Sequence, residues 1–164
     1  MTVPLEAADP GGTPLPAVPH GVRRLLVAFD GSPGAWLALA RGIDIAVSQS
    51  ALLTIAAVVP EPRLYTGFAP LVLPYSPETL RRDAEREMLR LLAAARDEVP
   101  ANVSVTTCLL HGRPARTLAA LADSGGYDLV LTGPRPSGRL RRLLSVTHGL
   151  LSRSRTSVLA TRSA

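Results

Sequence analysis

Apolar residues along this chain fall into short continuous runs, separated by stretches in which they recur at helical spacing. The first run, residues 25–29 (Leu-Leu-Val-Ala-Phe), stops at Asp30-Gly31-Ser32-Pro33. A run this short, without alternation, predicts a strand buried on both faces and followed by a turn. Ser32 is placed to cap a helix whose first residue is Pro33, a favoured position because proline has no N–H to leave unpaired. Trp36, Leu39, Ala40, Ile43 and Val47 then follow the i, i+3, i+4, i+7 spacing and form the expected inward face. A second apolar run over residues 52–59 ends at Pro60 and predicts another buried strand.

Pro60, Pro62, Pro70, Pro74 and Pro77 fill the next connection, which admits neither a helix nor a central strand. Connections longer than about 12–15 residues are uncommon without a function, so residues 60–76 read as a candidate lid or partner loop. Ser76-Pro77 opens a helix with Leu80, Ala84, Met88, Leu91 and Ala95 inward, and with Asp83–Arg86 and Glu87–Arg90 as surface pairs. It stops near Pro100. Alternation of Val103, Val105 and Thr107 with Ser104, Thr106 and Cys108 predicts a third strand over 103–110. His111-Gly112-Arg113-Pro114 turns into a short helix with Leu118, Leu121 and Ala122 inward and Gly125-Gly126 as its stop. Leu129-Val130-Leu131, ending at Thr132-Gly133, is the fourth strand. Residues 140–151 form the last helix and 157–161 the last strand. Five strands alternating with four helical stretches give an α/β fold, a doubly wound, five-stranded, mostly parallel sheet with helices on both faces and right-handed crossovers. Ahead of it, Pro4, Pro10, Pro14, Pro16, Pro19, Gly11 and Gly12 interrupt any apolar period, so residues 1–21 read as a flexible tail before a domain spanning 22–164.

Composition narrows the class. At 164 residues the chain has the length of one domain. Its single cysteine, Cys108, makes no internal disulfide and no cysteine-rich metal cluster, which favours a reducing compartment. No run approaches the roughly 18 apolar residues of a membrane span, and no basic-then-apolar leader opens the chain, so the expectation is a soluble, cytoplasmic protein without a membrane partner. All 18 basic residues are arginine, as coding bias in a GC-rich genome would produce, so arginine content alone says little about phosphate chemistry. Their placement says more: beyond residue 128 there are 7 arginines and no acid, against 11 arginines and 13 acids before it.

In an open parallel sheet, ligands collect beyond the carboxyl ends of the strands where strand order reverses. That rule selects Asp30-Gly31-Ser32, Val58-Val59-Pro60 and the stretch from Gly133 to Gly138. Together with Gly112-x-Pro114 and Gly126-Tyr127-Asp128-Leu129-Val130-Leu131-Thr132-Gly133, these segments resemble the universal stress protein family over residues 23–162. The resemblance implies a Rossmann-like, adenine-nucleotide α-hydrolase-like fold. In nucleotide-binding members an Asp after the first strand and a backbone group near the end of the second hold adenosine. The phosphates lie on a Gly-x2-Gly-x9-Gly-Ser/Thr loop after the fourth strand, where glycine lets successive N–H groups approach.

Carried over by residue, the resemblance gives Asp30 and Val58 to the adenosine and Gly133 to the first motif glycine. The rest departs from the pattern. Without a gap, Pro136 and Val146 stand at the second and third glycines, with Thr147 at the hydroxyl. Spaced back from the last strand, which fits the family spacing better, Ser145 is the hydroxyl and Leu144 stands at the third glycine, in a loop two residues short. Proline removes an amide donor, so ATP or AMP binding is expected to be weakened or lost. Gly138 offers a partial substitute, and Arg135, Arg139, Arg141 and Arg142 are candidates to compensate through their side chains.

The remaining candidates have plainer readings. Asp30 also fits a turn residue, and Ser32 a cap, since no Gly-x-Ser-x-Gly elbow surrounds it. His20, His111 and His148 lie in different segments without ligand spacing, and Cys108 reads as a small core residue. No catalytic triad, carboxylate pair or metal site emerges. The function expected is regulation by binding in the stress response. Its alternatives are a slow ATP-hydrolysing switch with Asp30 as the nearby carboxylate, or an arginine-mediated nucleic-acid module. The last is disfavoured because residues 129–164 hold no aromatic to stack on bases. The resemblance further implies a homodimer through Ser157-Val158-Leu159-Ala160-Thr161, an apolar edge strand unless paired.

Overall fold

The computed structural model describes residues 21–60, 77–133 and 146–161. In chain order these form β1 (Arg24–Ala28), α1 (Pro33–Gln49), β2 (Leu52–Val59), α2 (Pro77–Asp97), β3 (Val105–His111), α3 (Pro114–Ser124), β4 (Leu129–Thr132), α4 (Val146–Leu151) and β5 (Ser157–Ala160). The strands make one sheet in the order β3-β2-β1-β4-β5, and all four pairings are parallel rather than mostly so. Strand order reverses between β1 and β4, the topology of a doubly wound sheet.

Alternation along the strands divides the core in two. Leu25, Val27, Leu53, Ile55 and Leu131 point to the face covered by α1 and α2, while Leu26, Ala56, Val58 and Val130 point to the face covered by α3 and α4. Burial on both faces explains the almost wholly apolar runs of β1 and β2, since the central strands have no solvent side to mark with polar residues, and the exception in β2, Thr54, is buried and bonded to the Tyr127 hydroxyl. The edge strand β3 is only half-buried, which is why it alone reads as alternating. It begins two residues later than its sequence suggests, at Val105, with Val103 buried just ahead of it.

Two helices keep only part of the inward face their spacing predicts: Leu39 and Ala95 are buried, and Trp36, Ile43, Met88 and Leu91 pack against the same core, but the rest of each face differs. In α1 the buried residues are Gly34, Ala35, Ala38, Leu39, Gly42 and Ala46. Ala40 is exposed, Val47 is 46% exposed, and Trp36 and Ile43 are half-buried. The reason is close approach: a Cβ on Gly42 would lie 2.8 Å from Val27 Cγ2, so the helix presents its smallest residues to the sheet and its bulkier ones flank the contact. Trp36 instead meets Phe29 edge-on, with centroids 5.0 Å apart.

In α2, Leu92 and Ala95 are buried, Met88 and Leu91 half-buried, but Leu80, at 43%, and Ala84 are exposed. At 21 residues the helix is about 31 Å long, against about 26 Å for the eight-residue β2, so its first turns overhang the carboxyl ends of the strands. There the helix is laced by ion pairs, including Asp83–Arg86 at 3.1 Å and Glu87–Arg90 at 3.5 Å as the spacing predicts. In α3 the inward set is Leu118, Ala119 and Ala122, with Leu121 half-buried. The tail, the 60–76 connection beyond Pro60 and the start of the expected last helix lie outside the described residues.

Candidate functional site

The β1–β4 reversal leaves a crevice at the carboxyl edge of the sheet, and the turn after β1 builds its first wall. Gly31 takes φ +73°, a conformation natural to glycine, and lets the chain fold back at once. Asp30 Oδ1 accepts from the Ser32 N–H at 3.1 Å, and Ser32 Oγ accepts from the Ala35 N–H at 3.2 Å, so both side chains close the turn and start α1. A cavity of about 210 Å³ opens beside this turn. Its apolar walls come from Phe29, Ala35, Val58, Met88, Leu118 and Val146, and its polar groups from Asp30, Ser32, Thr132 and Thr147.

Four of the seven sequence-derived candidates, Asp30, Val58, Gly133 and Thr147, meet at this cavity although they come from four separate segments. Arg135, Gly138 and Ser145 lie outside the described residues, as do Pro136 and Leu144. Gly133 has a structural duty beyond the expected one. A Cβ there would fall 2.1 Å from the backbone C and O of Gly34, so its lack of a side chain lets the end of β4 touch the first turn of α1. Thr147 stands in the first turn of α4, with its Oγ1 2.9 Å from Thr132 Oγ1.

Sequence reasoning missed Thr132, Met88 and Leu118 as wall residues. Met88 and Leu118 carry no local signal, because each belongs to a helix's apolar face and reaches the cavity only through the way α2 and α3 dock. Thr132 did carry one: a hydroxyl ending an otherwise apolar strand, immediately before a glycine.

The remaining titratable groups are engaged elsewhere. Burial pushes the Cys108 thiol above its ordinary range, which keeps it protonated beside Ala56 and Val58. His111 Nε2 lies 2.8 Å from Glu85 Oε1, which also meets Arg81 at 3.2 Å, tying the end of β3 to α2. His148 is exposed on α4. Among the described residues no group of three or more His, Cys, Asp or Glu is arranged to hold a metal, and no helix is long and apolar enough to cross a membrane. The site is therefore an apolar slot with an acceptor, Asp30, on one side and hydroxyls on the other. Such a slot suits a flat ring carrying hydroxyl and oxyanion groups.

The universal stress protein family model matches residues 21–162. Universal stress protein YxiE of Bacillus subtilis is 29% identical over 146 residues, spanning 85% of this chain and 98% of its own. A universal stress protein solved in complex with cAMP superposes with a TM-score of 0.66 at 26% identity, covering 87% of this chain and 98% of that one. A family protein from Burkholderia pseudomallei gives a TM-score of 0.68 at 25% identity, covering 85% and 96%.

Proposed function

This chain belongs to the universal stress protein family, and from that premise we propose that it serves the stress response by binding an adenine nucleotide, without turning it over, at the carboxyl edge of its sheet. The observation that carries the proposal is the convergence of Asp30, Val58, Gly133 and Thr147 on one cavity. The apolar walls suit the base, the Asp30 carboxylate accepts from ribose hydroxyls, and the Thr147 hydroxyl stands at the side where phosphate belongs. The relative that binds cAMP supports this class of ligand. Binding is proposed to be weaker than an intact glycine loop would give, because Pro136 brings no N–H to the phosphates. ATP, with the most charge to satisfy, suffers most.

Calorimetric titration of the full chain with AMP, cAMP and ATP tests the reading. Saturable one-site binding of AMP or cAMP, tighter than of ATP, is expected, and absence of heat for all three at millimolar ligand contradicts it. Phosphate release from ATP should stay at the buffer level in both wild type and Asp30→Ala, whereas release that Asp30→Ala abolishes favours the hydrolysing switch.

The same proposal includes a homodimer. The outer side of β5 has no strand neighbour among the described residues, and Leu159 on it is 42% exposed, so a second copy of the strand would cover an apolar edge. A strictly monomeric mass in sedimentation at micromolar concentration contradicts this part. The cytoplasm is the compartment proposed, in keeping with a lone, half-buried cysteine.

A further inference from the structure

Two threonine hydroxyls meet at the β4–α4 side of the cavity, Thr132 Oγ1 and Thr147 Oγ1, 2.9 Å apart. Each hydroxyl owns one proton, so their shared bond uses one and leaves the other for a third partner. Burial decides which proton is left over. Both line the cavity, but Thr132 is 3% exposed, with Thr147 as the partner its hydroxyl has among the described residues, whereas Thr147 is half-buried. If Thr147 donated, the more deeply buried Thr132 would be left with a proton that finds no acceptor among the described residues, a costly arrangement. We propose that Thr132 donates to Thr147, and that Thr147 in consequence presents its own O–H to the cavity.

Thr132 is then a positioning residue. It makes the β4–α4 end of the cavity a hydrogen-bond donor, matched to an oxyanion such as a nucleotide phosphate oxygen. Asp30, across the cavity, remains an acceptor. The pair gives the slot a direction, with ligand hydroxyls toward β1 and ligand oxyanion toward α4. Thr132 is itself held from behind, because its carbonyl accepts from Thr161 N at 2.9 Å and from Thr161 Oγ1 at 3.2 Å. Only the identity of the acceptor rests on the nucleotide reading; the proton order holds for the empty site as well.

Proton NMR of the ligand-free full chain tests the order directly. A slowly exchanging hydroxyl proton is expected on Thr132, with a nuclear Overhauser effect to the Thr147 side chain. A protected hydroxyl on Thr147 instead, or on neither residue, overturns the proposal. Titration with AMP and with adenosine then tests the consequence. Thr132→Val should weaken AMP about tenfold and leave adenosine unchanged, while Thr132→Ser restores AMP binding. Equal loss for both ligands, or no recovery with serine, overturns it. If the wild-type chain takes neither ligand, the nucleotide reading falls and the hydroxyl spectrum alone decides the proton order.

Discussion

The two ends of the sheet use the same kinds of residue for opposite purposes. At the amino edge, Asp128 Oδ2 accepts from the main-chain N–H groups of Arg23 and Arg24 at 2.8 and 2.9 Å. Asp123 Oδ1 accepts from Ser154 Oγ at 2.8 Å, Arg155 N at 2.9 Å and Thr156 Oγ1 at 3.3 Å. The Tyr127 hydroxyl donates to Thr54 Oγ1 at 3.1 Å, and Arg24 lies over the Tyr127 ring, 5.0 Å from its centroid. These groups join the starts of β1, β4 and β5. At the carboxyl edge, by contrast, the walls are mainly apolar, with Asp30 and the threonine pair set among them.

The amino-edge concavity, at about 530 Å³, is larger than the proposed ligand cavity, and carboxylates close turns at both edges, Asp30 included. Neither size nor the density of polar groups therefore marks the site. What marks it is the reversal of strand order, together with polar groups set around apolar walls.

The contrast can be broken by substitution. Gly133→Ala should have the largest effect, since its Cβ meets the Gly34 backbone rather than a yielding side chain. A loss of about 3 kcal/mol in urea unfolding is expected, and a near-neutral result would mean that β4 and α1 do not touch as described. The two edges should then part company under matched aspartate changes. Asp128→Ala is expected to cost about 1–2 kcal/mol of stability with nucleotide affinity unchanged. Asp30→Ala should weaken AMP about tenfold, roughly 1.4 kcal/mol, with a smaller effect on unfolding. Identical behaviour of the two variants would erase the distinction. Ser32→Ala removes the cap on Ala35 N and should lower stability by about 1 kcal/mol.

The smallest effect concerns pH. The hydrogen bond from Ser154 Oγ, joined by those from Arg155 N and Thr156 Oγ1, holds the Asp123 carboxyl below the usual aspartate range. A folded-state pKa below the unfolded one means that this contribution is fully present above the usual aspartate range. It is lost as pH falls through the lower folded value. Amide exchange at Arg155 should thus rise in acid before the core opens, and Asp123→Asn should remove that pH dependence.

Much of this was legible in the sequence because the central strands are almost wholly apolar runs and their ends carry proline, glycine and capping serine. β2 runs over residues 52–59 as its pattern implies, and Ser32-Pro33 starts α1. The faces of α1 and α2 were legible only in part, because periodicity counts large apolar residues. α1 packs through Gly34, Ala38 and Gly42, while α2 outgrows the sheet. Asp30, Val58 and Gly133, placed by the resemblance, and Thr147, from the ungapped spacing, line one cavity, whereas Ser145, the hydroxyl of the better-fitting spacing, lies outside the described residues. The amino-edge aspartates could not be placed, since their partners are main-chain N–H groups and hydroxyls up to 105 positions away, which leave no local pattern.

The most direct test of the central claim is an amide chemical-shift map of the full chain during an AMP titration. Saturable shifts grouped at Ser32, Gly133 and Thr147 are expected, with Gly126, Tyr127 and Arg155 at the opposite edge unmoved. Shifts grouped at the amino edge, or none at saturating AMP, would contradict it.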